Sequence, residues 1–398
     1  MEMAGQTRTT RRRGLDSLSL VALRMLSGDR AKYLALIFAV AFSSFLITQQ
    51  VSIFAGILNR TRSQILDITD ADLWVMDPAT QYIDEIYPLN DYDLYRVRSV
   101  PGVLWAAPLY KGQAVAKTPE GNFRVTLLLG VDDATLAGSP TTDKMILGSV
   151  DRLREPDAII IDRVGYKTYF PNQSLELGRT LELNDHRARV VGIVEASALY
   201  QTFPVMYTRY SQALNYVGRQ RRMLSFVLAK RNPAVSAADV TRSIQAATGL
   251  KAMTSDQFGM ATILFYVRHT GIPVSFGLTA AIAIVVGTVV AGQTFYLFTI
   301  ENLKQFGALK AIGVTNRRLV GMILVQALAV AAMGYAMGMG LVSMFFRAFD
   351  RQDATRGIEV PWQAMGATSV VVLVIIVLAS LISIRKVLVL EPAIVFRG

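Results

Sequence analysis

Apolar and polar positions in this chain follow two patterns of different length. Four stretches carry no Asp, Glu, Lys or Arg: Tyr33–Asn59, Thr270–Ile300, Leu319–Phe346 and Val360–Ile384. Each exceeds the ~20 residues an α-helix needs to cross a bilayer core of roughly 30 Å. In hydrocarbon every backbone N–H and C=O must be satisfied within its own segment, so each run predicts a spanning helix. Between the first two runs the pattern shortens. ADLWVM (71–76), FRVTLLLGV (123–131), DAIIID (157–162), RTLELN (179–184), ARVVGIVEA (188–196) and LSFVLAK (224–230) are short, β-rich and bounded by turn residues, and predict strands. DYDLYRVRSV (91–100), SAADVTRSIQAAT (236–248) and DQFGMATILFYVRH (256–269) predict helices.

The expected fold is a multi-pass α-helical membrane protein of four transmembrane helices, with a large extracytoplasmic α+β domain inserted between helices 1 and 2. The expected segments are a cytoplasmic N-terminal stretch (1–32), spans at 33–58, 271–299, 319–345 and 361–384, and an extracytoplasmic domain at 59–270. A coupling segment (300–318), a short external loop (346–360) and a cytoplasmic tail (385–398) complete the layout. Within the large domain a subdomain is expected at about 120–200, after AGSPTTD (137–143). RTRSQILDI and FYVRHTGIP predict helical stalks at its two roots. The first apolar run is too long for a cleaved signal and follows a charged segment, so it reads as an anchor.

Charge orients this layout. Residues 1–32 carry seven basic and three acidic side chains, 301–318 four and one, and 385–398 three and one. The 59–269 segment is nearly balanced, with 24 basic and 22 acidic. The positive-inside rule therefore places both termini and the 301–318 loop in the cytoplasm of the cell's inner (plasma) membrane. Because the basic residues flank spans and lack interleaved aromatics, no nucleic-acid partner is expected; Arg11, Arg12 and Arg13 suit anionic lipid headgroups. Leu15, Leu18, Ala22 and Met25 recur at helical spacing and predict an amphipathic helix along the membrane surface.

Inside the spans, small residues recur every four positions: Gly287 and Ala291 after Ala283, and Gly334 with Gly338. That spacing lets helix backbones approach closely. Gln49, Gln50 and Gln293 are expected to bond to neighbouring helices. No ionisable residue interrupts a span, which argues against an ion-coupled transporter.

Enzyme signatures are missing. The sequence has no G-x-x-x-x-G-K-[ST] phosphate loop and no G-x-S-x-G elbow. With no cysteine and only His186 and His269, neither thiol catalysis nor a metal site is expected, and no cofactor is called for. Asp132 and Asp133 read as turn chemistry. The chain is expected to be non-enzymatic.

One basic segment remains, ENLKQFGALKAIGVTNRRL (301–319). Leu303, Phe306, Leu309 and Ile312 step by three in an apolar stripe among Glu301, Lys304, Gln305 and Lys310. Gly313 suits a left-handed helix end, and Thr315 or Asn316 suits the next cap.

FGALKAIGVTNRRL resembles the cytoplasmic signature of FtsX/MacB-type ABC transporter permeases, E-[IFY]-G-x-L-[KR]-A-[IM]-G, found between their second and third spans. The layout is similar too. LDITDADLWVMDP (66–78), VPGVLWAAPLY (100–110), LLLGVDD (127–133) and IRKVLVLEPAIVF (384–396) look like the DevC branch, the heterocyst glycolipid exporter permease. Gln305 departs from the pattern, standing where the family has an acid. The resemblance implies a permease homodimer bound to a separate ABC ATPase through residues 301–313 and the N-terminal surface helix, with Phe306, Gly307, Leu309, Lys310, Ala311 and Gly313 as coupling residues. It implies mechanotransmission (type VII) and tripartite efflux of a glycolipid, lipid or amphiphile, with a periplasmic adaptor and an outer-membrane channel. The alternatives are an FtsX-like regulator of cell-wall hydrolases and a lipoprotein-release permease.

Overall fold

The computed structural model describes residues 21–26, 30–118, 120–218, 223–349 and 358–389. Helix α1 (Arg30–Asp67) is followed by β1 (Leu73–Met76), α2 (Asp91–Arg98), β2 (Val103–Lys117), β3 (Phe123–Val131), β4 (Met145–Gly148) and β5 (Ala158–Asp162). Next come α3 (Arg163–Tyr169), β6 (Thr180–Leu183), β7 (His186–Val194), β8 (Val205–Arg209), α4 (Tyr210–Tyr216) and β9 (Phe226–Arg231). Then α5 (Ala237–Thr248), β10 (Lys251–Thr254) and α6 (Ser255–His269) precede α7 (Ile272–Glu301), α8 (Leu303–Ala311), α9 (Asn316–Phe349) and α10 (Trp362–Leu388). The chain folds as two compact bodies. A sheet body comprises Gly56–Gly271, and a helical body takes the chain up to Ala55, Ile272 through α9, and the chain from Ile358 onward.

Four helices in the described residues are long and apolar enough to cross a membrane: α1, α7, α9 and α10. Their packing follows the small residues. A Cβ on Gly338 would lie 2.6 Å from the Ala41 carbonyl oxygen and from Ser44 Cβ, and one on Gly334 would lie 2.6 Å from Val40 Cβ. These two glycines therefore seat α9 directly against α1. Gly287 faces the Ser43 hydroxyl in the same way, and Ala283 and Ala291 are buried beside it. Polar side chains inside the bundle find partners. Thr48 donates to Thr368 at 2.9 Å, and the buried Gln326 amide donates to the Ala22 carbonyl at 2.8 Å. Among the glutamines expected to bridge helices, Gln293 instead lies on the exposed face of α7. The bridging amide is Gln326.

The sheet body is built on a mixed ten-stranded sheet of order β10-β1-β9-β2-β3-β8-β5-β7-β4, with β6 pairing β2 and β7. Its pivot is β2. From Val103 to Leu109 this strand pairs with β9; from Tyr110 to Lys117 it pairs with β3. Both faces of the sheet are covered, so its central strands read as continuous apolar runs without alternation. Trp74 and Met76 of β1 enter one core cluster while Leu73 and Val75 enter another. In β5, Ile160 faces the first cluster, and Ile159 and Ile161 face a third.

The two roots differ. Helix α1 runs unbroken from Arg30 to Asp67, where the Asp67 carboxylate accepts from Lys144 Nζ (2.8 Å), Ser197 N (3.0 Å) and Ser197 Oγ (2.6 Å). A carboxylate at a helix C-terminus opposes the macrodipole, and these donors offset that cost. At the second root, α6 stops at Thr270, whose backbone is extended (φ −120°, ψ 157°), before α7 begins at Ile272. FYVRHTGIP is therefore two helices with a break between them.

Candidate coupling site

The segment between α7 and α9 is a short helix held at both ends by its own sequence. Asn302 departs from helical geometry after α7, and its side-chain amide donates back to the Phe298 carbonyl at 2.8 Å. At the far end Gly313 takes φ +95°, with open space where a Cβ would stand, so only the backbone angle requires glycine there. Gly313 N donates to Lys310 O (3.1 Å) and Val314 N to Leu309 O (3.0 Å), the paired bonds of a Schellman helix end. Leu309 and Val314 meet the same apolar cluster, as that motif favours. Thr315 then opens α9, its carbonyl accepting from Arg318 N (2.9 Å) and Leu319 N (3.1 Å).

That cluster gathers Ala22 from the N-terminal helical segment, Phe306 from α8, Leu319, Met322 and Ile323 from α9, and Val387 from α10. Met25 and Leu309 pack on its edge. Lys310 Nζ donates to Leu388 O at 3.2 Å, and Lys32 pairs with Glu301. Of the expected surface-helix residues, Ala22 is buried and Met25 half-buried in this cluster. Leu15 and Leu18 lie outside the described residues.

The apolar stripe needs correction. Phe306 is 0% exposed and Gly307 is buried, so neither lies on the outer surface of α8. Leu309 and Lys310 are half-buried, while Ala311 and Gly313 are exposed. A residue advances ~100° around an α-helix, so each step of three lags by about 60°. From Leu303 to Ile312 the lag reaches roughly half a turn. Phe306 and Leu309 face inward, whereas Ile312 emerges on the opposite side, 82% exposed. Lys304, Gln305, Ala308, Ala311 and Ile312 are all exposed and share one helical face. Sequence reading missed Ala308 and Ile312 as surface; the i, i+4, i+7, i+8 spacing from Lys304 was the available signal.

No group of three or more potential metal ligands occurs among the described residues. The chemistry of this site is shape and contact.

Residues 34–247 match the family described as MacB-like periplasmic core domain, and residues 277–392 match FtsX-like permease C-terminal. The chain belongs to the FtsX/MacB-type ABC transporter permeases. An uncharacterized ABC transporter permease of Mycobacterium tuberculosis (strain ATCC 25618 / H37Rv) is 26% identical over 364 residues, covering 89% of this permease and 94% of the relative. The macrolide export ATP-binding/permease protein MacB of Psychrobacter cryohalolentis is 23% identical over 287 residues, covering 67% of this permease and 41% of that protein. The crystal structure of the periplasmic region of MacB from Actinobacillus actinomycetemcomitans is 18% identical with TM-score 0.37, spanning 52% of this permease and 96% of that chain. The sheet body is thus a MacB-like periplasmic domain, the four apolar helices belong to an inner-membrane permease, and membership in this family implies a partner ATPase.

Proposed function

We propose that this permease is the force-relaying subunit of an exporter driven by a separate ABC ATPase. Its contact with that ATPase is the exposed face of α8: Lys304, Gln305, Ala308, Ala311 and Ile312. The single observation carrying this reading is that face. Two alanines allow close approach beside an isoleucine with no apolar cover of its own, and the apolar cluster around Phe306 backs the helix behind them. A push on α8 is received by Phe306 and passed to the starts and ends of three other helical elements. Leu309, Lys310 and Gly313 fix the end of α8, so their role in coupling is to position it.

Both termini and α8 are cytoplasmic in this scheme, and the periplasmic domain receives the motion. A second copy of the permease completes the transporter, with a periplasmic adaptor and an outer-membrane channel as further partners. The cargo is a lipid, glycolipid or other amphiphile. The resemblance of residues 66–78 and 100–110 to the DevC branch supports the glycolipid form.

Ile312→Asp tests the contact. The substitution sits on an exposed position and leaves the buried cluster intact, so the permease should insert and fold normally. Co-purification of an ABC ATPase with the permease from its host membranes should fall to background. Normal ATPase recovery would remove the proposed face.

A further inference from the structure

In the periplasmic domain, the loop between β1 and α2 holds two separate elements with three consecutive residues. Tyr82 stacks on Phe265 of α6, with ring centroids 4.0 Å apart and planes 11° apart. The Ile83 N–H donates to Thr262 Oγ1 (3.3 Å), and Asp84 Oδ2 accepts from Tyr266 OH (3.2 Å). Thr262, Phe265 and Tyr266 stand at i, i+3 and i+4, on one face of the half of α6 that leads toward α7 in the chain. From the other side, Lys111 Nζ of β2 donates to Ile83 O (3.1 Å) and Asp84 Oδ1 (2.5 Å). Lys111 thus grips two of the three residues that grip α6. The rest of the loop is tied to the sheet, by Lys251 Nζ to Thr80 O (2.7 Å) and Leu89 N to Leu224 O (2.9 Å).

The position of Lys111 gives these contacts a use. Pairing of β2 with β9 ends at Leu109, and pairing with β3 begins at Tyr110. Strand β2 is therefore shared by β10-β1-β9 on one side and β3-β8-β5-β7-β4 on the other. A displacement delivered at Lys111 acts where the two halves of the sheet join. The chemistry suits placement more than stability. A buried ion pair is often no more stabilising than apolar side chains of the same volume, but its hydrogen bonds are directional and fix geometry. We infer that Tyr82, Ile83 and Asp84 form a coupling bridge, which passes displacement of α6 to Lys111 and turns one half of the sheet against the other. Tyr82 and Asp84 are its positioning residues. The inference rests on the force-relay reading above and supplies a path for the force inside the periplasmic domain.

The chain has no cysteine, so a pair of spin labels can be placed at Tyr95→Cys on α2 and Ile146→Cys on β4. Both positions are exposed, and they belong to opposite halves of the sheet. The full-length permease is purified with an ABC ATPase from its host membranes. The distance between labels is then measured by pulsed electron paramagnetic resonance, without nucleotide and with ATP trapped by vanadate. The main distance should shift between the two states. Tyr82→Ala with Tyr266→Phe removes the stack and the hydroxyl contact but keeps the buried Lys111–Asp84 pair, so this variant should fold, recover the ATPase and lose the shift. Tyr82→Phe retains the stacked ring and should retain the shift. Lys111→Met with Asp84→Asn cuts the bridge on the sheet side and should also lose the shift, which guards against a local defect around α6. A shift that survives either cut, or that disappears in Tyr82→Phe, would overturn the bridge and leave the force relay standing. No shift in the labelled parent, or no ATPase recovered with it, would overturn the force relay and the bridge together.

Discussion

Lys111, in the middle of β2, is 4% exposed, and its ammonium donates to Asp84 Oδ1 (2.5 Å) and Ile83 O (3.1 Å) while Tyr266 OH donates to the other Asp84 oxygen (3.2 Å). Burial lowers the Lys111 pKa, and the Asp84 carboxylate works against that shift. The pair ties the 77–90 loop to the sheet. Lys111→Ala leaves Asp84 without its cation and should cost about 3 kcal/mol, read as a lowered Tm in detergent. Lys111→Met combined with Asp84→Asn should recover much of it. The buried tyrosines act in the alkaline range. Burial raises Tyr207, Tyr216 and Tyr266 above the usual 10 and pushes Tyr210 up to about 12. The folded domain thus holds these protons more tightly than the unfolded chain does. The stability they contribute is complete below pH 10 and is lost as pH rises through the folded values. Tm should fall steadily above pH 10, and Tyr210→Phe should make that fall shallower.

Between elements, the decisive contacts are made by side chains that are absent. Gly334 and Gly338 let α9 lie on α1, and Gly338→Leu would drive a branched side chain into the Ala41 carbonyl and the Ser44 side chain. Overpacking of this kind costs typically 1–3 kcal/mol, and here it must push α9 away from α1. The expected outcome is a chain that still inserts but melts earlier and is cut faster by protease; Gly340→Leu, where nothing lies within 4 Å, should do neither. The small-residue spacing of Gly334 and Gly338 was visible in the sequence because close helix contact demands it. So were the strands LWVM and AIIID, since a strand covered on both faces has to be apolar throughout. Gly313 was legible as a helix end because its φ excludes most side chains. The longest strand was not legible. VLWAAPLYKGQAVAK contains Pro108 and Gly112 and a charged Lys111, which break any strand pattern, and it is held because it changes partner from β9 to β3 just past Pro108. Phe306 failed differently. A three-residue step reads as a stripe on paper, and only the drift of the real helix shows that one end of it is core and the other surface.

Across the whole molecule, force can be relayed outward only if the two ends of the coupling path lie on opposite sides of the membrane. The basic surplus of the segments 1–32, 301–318 and 385–398 predicts that α8 and the end of α10 face the cytoplasm, while residue 201 lies outside. The chain has no cysteine, so single introduced cysteines report without background. Ser383 would make a poor reporter because it is fully buried, whereas Leu388 is 37% exposed near the end of α10 and Gln201 is exposed on a loop. Gln201→Cys should react with a membrane-impermeant maleimide on intact spheroplasts. Leu388→Cys should react only after the membrane is opened. Labelling of Leu388→Cys on intact spheroplasts would place α8 away from any cytoplasmic ATPase, and force could not then enter this permease through Ile312.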